Sequence, residues 1–191
     1  VKGDRRQNDR KARWNLIRLV NSNFTEHDKF VTLTFADNIC DLDEAHLEFD
    51  KFIKRMRRKY GKFKYVAVVE FQKRGAIHYH MITDLPYIPK DTLARIWRNG
   101  FVRINDIEHV DNVGAYISKY MTKEDRDIRL RQRKKYFASQ NIERPLIVKG
   151  DSADPLIDMW ELQNKKEVFT NSYESEHHGI ITYRQYNLKR L

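Results

Sequence analysis

A chain of 191 residues is enough for one domain with room for an appendage, and its 40% apolar and 12% aromatic content argues for a packed core rather than disorder. Lys and Arg number 37 against 27 Asp and Glu, a formal charge of +10 that points to a polyanionic partner, nucleic acid first and an anionic membrane surface second. No apolar run approaches the roughly 20 residues of a spanning helix, the opening residues are too charged for a secretory signal, and one cysteine, Cys40, excludes an internal disulfide and a CxxC zinc site, the usage of a reducing, intracellular protein.

Residues 5–20 read as a basic helix. Trp14, Ile17, Leu19 and Val20 supply its apolar contacts, and Arg5, Arg6, Arg10, Lys11, Arg13 and Arg18 project elsewhere, to solvent or to DNA. Phe30 to Phe35 is β-branched and aromatic, a strand buried on both faces. Leu42, Ala45, Phe49, Phe52, Ile53, Met56 and Tyr60 then follow a helical period, with Gly61 as the stop. Strands follow at Tyr65–Phe71 and Ile77–Ile82, a short helix at Asp91–Arg98, and a strand at Phe101–Ile107. A helix at Asp111–Lys123 and a fifth strand within Arg133–Ala138 complete the series. The link from Phe71 to Ile77 is too short for a crossover, so that pair is an antiparallel hairpin. An α+β fold follows, with a mostly antiparallel central sheet of about five strands and helices packed on it. Beyond Pro145 the signals weaken to a short helix near Leu156–Trp160 and a strand at Gly179–Tyr183. The organisation read from this is a basic N-terminal helix (1–28), a core (29–145) and an extension of the same domain (146–191).

Two features carry chemistry. His78 and His80 alternate on one strand and share a face. Side by side they suit a divalent ion, or they are two hydrogen-bonded, partly buried histidines. Whether Glu70 joins them depends on the hairpin loop. A two-residue loop at Arg74-Gly75 pairs Glu70 with Tyr79 and turns it away; a three-residue loop at Lys73-Arg74-Gly75 sets it opposite His78. Three-residue loops favour glycine at the last, left-handed position, which Gly75 occupies, so the second register and Glu70 as third ligand are expected. Gln72, on the same side of its strand, is the reserve. The second feature is Tyr116, Lys119, Tyr120 and Lys123 on one side of a helix whose apolar stripe is Val113, Ile117 and Met121. Tyrosines there are packing residues or nucleophiles.

Together these residues resemble the rolling-circle replication initiators (Rep) of the HUH endonuclease superfamily, whose core is built on a sheet like that of RNA-recognition modules. Phe30-Val31-Thr32-Leu33-Thr34-Phe35 is similar to the family's first motif. His78-Tyr79-His80, preceded by Arg74-Gly75-Ala76-Ile77, is similar to its histidine–hydrophobic–histidine motif. Tyr116-Ile117-Ser118-Lys119-Tyr120 resembles the two-tyrosine form found in initiators of small single-stranded DNA phages and some transposases. The likeness covers residues 30–123 in the family's order; residues 124–191 add a looser likeness to bacterial plasmid and phage initiators at Tyr136-Phe137-Ala138-Ser139 and Arg144-Pro145.

The resemblance, carried by the three motifs in order rather than by any one of them, implies a sequence-specific endonuclease and strand transferase that nicks single-stranded DNA. Its implied partner is an origin hairpin, with a host helicase or polymerase downstream, no membrane, and a bacterial cytoplasm as the setting. A tyrosine attacks the scissile phosphate, leaving a 5′-phosphotyrosine and a free 3′-OH that primes synthesis. The implied cofactor is Mn²⁺ or Mg²⁺, and a mixed histidine and carboxylate set leans toward Mn²⁺. Lys119 stabilises developing negative charge. Tyr116, three residues before Lys119 and further from the apolar stripe, is the expected first nucleophile, with Tyr120 a second nucleophile or a packing residue. Arg74, Lys123, Arg126, Arg129, Arg131, Arg133 and Lys134 are expected to track phosphates, as is the basic run from Lys54 to Lys64. The absence of a P-loop in these residues implies no helicase activity within them. A relaxase or transposase would share the nicking chemistry; a noncatalytic single-strand-binding module with exposed aromatics would need no metal and form no covalent adduct.

Overall fold

The computed structural model describes residues 2–72, 74–123, 128–130, 133–175, 178–186 and 188, with the side chains of 2–7, 122, 123 and 128 outside the description. The chain divides into two compact units, Val1–Pro145 and Leu146–Leu191.

The first unit runs α1 (Lys2–Asn21), β1 (Lys29–Thr34), α2 (Leu42–Tyr60), β2 (Tyr65–Phe71), β3 (Ile77–Thr83), α3 (Lys90–Trp97), β4 (Val102–Asn105), α4 (Val113–Lys123) and β5 (Tyr136–Ala138). The five strands form one antiparallel sheet in the order β4-β1-β3-β2-β5. This is the α+β architecture expected. β3 sits at the centre, bonded to strands on both sides and buried at every position. Its side chains therefore alternate between two interiors rather than between core and water.

One interior is dry. Val31, Leu33, Val69, Phe71, Tyr79 and Met81 meet Phe49, Phe52 and Met56 of α2 and Leu93 and Trp97 of α3. The Phe49 and Tyr79 rings stack with centroids 4.4 Å apart. α2 starts where Asp41 accepts hydrogen bonds from the amides of Asp43 and Glu44, both at 2.9 Å, and stops at Gly61, at φ +78°. α3 ends one residue earlier than its glycine suggests. Arg98 takes the left-handed position (φ 68°), because Gly100 is needed at φ +146°, where a Cβ would lie 2.4 Å from Thr34 O and Ala36 N.

The other interior is covered by α1 and α4. Leu16 and Val20 of α1, with Val113, Ile117 and Met121 of α4, pack on Phe30, Val66, Val68 and Ile82. The two helices cross closely: a Cβ on Gly114 would stand 2.4 Å from Ile17 O. Asn21, at the end of α1, accepts from the Gly114 amide (2.8 Å) and donates to Asn112 (3.0 Å), whose side chain caps Ala115 N (2.8 Å). That capping starts α4 at Val113, two residues after the expected Asp111. Arg13 adds a bond from α1 to the buried Ser118 of α4 (3.4 Å).

The second unit holds α5 (Asp154–Met159) and a hairpin of β6 (Glu167–Ser175) and β7 (Gly179–Tyr186). β6 is a strand the sequence pattern does not announce, being polar and largely exposed.

Candidate active site

The site is built on the face of the sheet beneath α1 and α4. The β2–β3 hairpin pairs Phe71 with Ile77 and Glu70 with His78. Gly75 N donates to Gln72 O (2.8 Å) and Gln72 N to Ala76 O (2.8 Å), with Gly75 at φ +89°. This is the register of the three-residue loop, and it brings the carboxylate to the histidines; Lys73 of that loop lies outside the described residues. Glu70, His78 and His80 each offer a ligand atom, all within 4.8 Å of one another.

His80 is held from both ends. Its Nε2 lies 2.6 Å from Glu70 Oε2 and its Nδ1 lies 3.0 Å from Thr32 Oγ1 on β1. A hydroxyl on the rear nitrogen fixes ring orientation and tautomer, the support a metal-ligating histidine commonly has. His78 is 9% exposed, and among the described residues its Nε2 has no hydrogen-bond partner. Burial foremost, then the neighbouring His80, lowers its pKa and keeps the ring neutral, against the opposing pull of Glu70. A buried, neutral imidazole nitrogen in that condition, beside a second imidazole and a carboxylate, is a donor set that fits a divalent cation. Gln72 does not compete for that role, since its side-chain oxygen accepts from Arg74 Nε at 3.0 Å.

α4 lays its tyrosines over these residues. The Tyr120 ring stacks on His80 with centroids 3.7 Å apart and planes 21° apart. Phe30 lies beneath all three rings, edge-on to Tyr116 (5.1 Å) and stacked with Tyr120 (5.6 Å) and His80 (5.8 Å). Lys119 Nζ sits 5.2 Å from the centre of the Tyr116 ring. The Tyr120 hydroxyl is pushed up to about 12, by burial first, then by its hydrogen bond with Tyr116 and the nearby charge of Glu70, with Arg103 opposing. At neutral pH it keeps its proton.

Sequence pattern alone does not mark Thr32, Phe30 or Arg103 as site residues. Strand alternation and pairing bring them in: Thr32 is paired with His80 on one side and Arg103 on the other. Of the expected phosphate contacts, Arg74 is exposed at the hairpin tip and Lys134 is exposed before β5. Arg129 is drawn inward instead, donating to Gly75 O (3.0 Å) with its guanidinium 3.5 Å from the centre of the Phe71 ring, so it braces the hairpin. Arg133 pairs with Asp43 of α2. Arg126, Arg131 and the side chain of Lys123 lie outside the described residues.

Among the described residues, no helix is long and apolar enough to cross a membrane. No solved structure matches the chain. A curated relative, the Phasyl DNA replicon protein arp of Escherichia coli, is 25% identical over a match covering 58% of this chain and 48% of that protein. The match thus spans about half of the relative's length. The family model for the replication-associated protein ORF2 matches residues 28–125, which hold the hairpin, both histidines and the whole of α4. This chain belongs to that family of replication-associated proteins.

Proposed function

We propose that the chain is a metal-dependent tyrosine endonuclease and strand transferase of the HUH type, which nicks single-stranded DNA at an origin to start rolling-circle replication. One observation carries this reading: the two histidines and Glu70 share a sheet face with both tyrosines of α4, the nearer ring stacked 3.7 Å from His80. Glu70, His78 and His80 would hold Mn²⁺ or Mg²⁺, whose charge would polarise a nonbridging phosphate oxygen of the scissile link.

The chain's own residues do the rest. Thr32 keeps the His80 ring in one orientation through Nδ1. Tyr116 is the initiating nucleophile: its oxygen forms a bond to phosphorus as the bond from phosphorus to the 3′-oxygen breaks. The phenol loses its proton and the departing 3′-oxygen gains one, so the products are a 5′-phosphotyrosine and a 3′-OH. Energy stays in the phosphodiester, and a later 3′-OH reverses the step. Lys119, close to the Tyr116 ring, lowers the cost of negative charge on the phenol oxygen. Tyr120, held protonated, donates to Tyr116 in the first turn and is the second nucleophile only after that bond is released.

A 5′-labelled origin hairpin incubated with the chain and Mn²⁺ tests the reading. A covalent protein–DNA adduct on a denaturing gel is expected, abolished by EDTA and by Tyr116→Phe and retained by Tyr120→Phe. Binding without any adduct sinks the nuclease in favour of a binding module. Peptide mass spectrometry that finds Tyr120 modified and Tyr116 free in the first turnover reverses the assignment of the nucleophile.

A further inference from the structure

A groove of about 320 Å³ opens between the C-terminal ends of α2 and α3, over the sheet face opposite the tyrosines. It is lined by Arg55, Arg58, Lys59, Arg95, Ile96 and Arg98. Five of these six are cations, and none is a carboxylate. Part of this charge has a structural use: Arg55 donates to Ile96 O (2.8 Å) and Trp97 O (2.9 Å), closing the last carbonyls of α3. Arg58, Lys59, Arg95 and Arg98 are exposed at the groove and exceed what two helix ends need. Their crowding is felt within the groove, where burial first and then Arg98 lower the pKa of Arg55. Arg98 also takes a left-handed backbone at φ 68°, where glycine is the favoured residue. An arginine kept at that position adds a guanidinium to the groove at the expense of local backbone comfort.

We infer that this groove is a second DNA contact, a sequence-independent seat for the phosphates of duplex DNA, separate from the tyrosine site. The proposal rests on the reading of the chain as a DNA-processing enzyme. Duplex is favoured over single strand because the lining has no aromatic residue on which an unpaired base could stack. Duplex presents its phosphates outward and needs only cations.

Fluorescence anisotropy with a labelled duplex of about 20 base pairs and arbitrary sequence, across a salt series, reads the groove. Nicking of a short single-stranded origin oligonucleotide, measured in parallel, reads the tyrosine site. Replacing Arg58, Lys59 and Arg95 together by alanine should lower the slope of log affinity against log salt by about 3, near 0.9 for each phosphate no longer neutralised. Duplex affinity should fall at least about tenfold while nicking of the oligonucleotide stays within about twofold. Arg98→Gly guards against a folding artefact: it relieves the backbone, so the melting temperature should hold or rise, while the slope falls by about 1. An unchanged duplex slope in both variants overturns the proposal, and so does a loss confined to single-stranded binding. If the wild-type chain binds duplex through these residues yet never forms an adduct, the groove stands and the nuclease reading fails.

Discussion

The two faces of the central sheet are built from the same strands and do opposite work. On the α2–α3 side, β3 contributes Ile77, Tyr79 and Met81 to an apolar interior closed by Phe49, Phe52 and Trp97. On the α1–α4 side it contributes His78, His80 and Ile82, and the polar pair is only partly satisfied: His80 has Thr32 and Glu70, while His78 Nε2 has no hydrogen-bond partner among the described residues. One face holds the strand in place; the other uses that rigidity to keep two imidazoles and a carboxylate at ligand spacing. A site set on a central strand buried on both faces is precise because almost nothing around it can move.

The comparison breaks most visibly at His80. His80→Ala should lower nicking by at least about 10⁴-fold, some 5 kcal/mol of barrier, with duplex binding largely intact; activity within about tenfold of wild type would separate the histidines from the chemistry. The dry face answers in stability instead. Phe49→Ala removes a ring stacked on Tyr79 and should cost about 3–5 kcal/mol in urea unfolding. A loss below about 1 kcal/mol would mean that the α2 interface is not what braces β3. Gly114→Ala tests the coupling of α1 to the tyrosine helix. The added methyl meets the α1 backbone, so about 1–3 kcal/mol of stability should go, together with a fall in nicking as α4 shifts. Unchanged melting and nicking would mean the crossing has slack.

The smallest effect is one of pH. His46 of α2 bonds the Tyr79 hydroxyl inside the dry face, and burial, outweighing Asp43, lowers its pKa. Its folded pKa lies below the unfolded value of about 6.5, so its contribution is present above that pH and is lost as the pH falls through the folded pKa. For one proton the slope cannot exceed about 1.4 kcal/mol per pH unit. Chemical denaturation of His46→Gln at stepwise pH should show a shallower acid decline than wild type; identical slopes would discard the assignment.

Strongly periodic segments are readable without coordinates. α2, β2 and the start of β3 follow from apolar spacing, and one glycine at the hairpin's third loop position is enough to set Glu70 against His78. What the pattern hides is long-range. Nothing local in Thr32 says that β1 will lie beside β3 and put its hydroxyl on His80. Nothing in Arg129 says that it will lie on Phe71 instead of facing DNA. Leu16 is masked because a charged helix hides a narrow apolar face, and β6 because an exposed strand carries no apolar alternation. The Arg98 cap is masked because Gly100, two residues on, looks like the obvious helix stop.

The two halves of the site also differ in how far along the chain their parts are gathered. Glu70, His78 and His80 belong to one hairpin, a local structure that closes quickly once its turn forms. The tyrosines depend on α4, and α4 is seated by α1 from the far end of the unit, through Gly114 and Asn21. During folding the cation half can therefore assemble well before the nucleophile half. A chain caught between those stages would hold an ion and be unable to cut, so cleavage is withheld until the first and last helices of the unit have met.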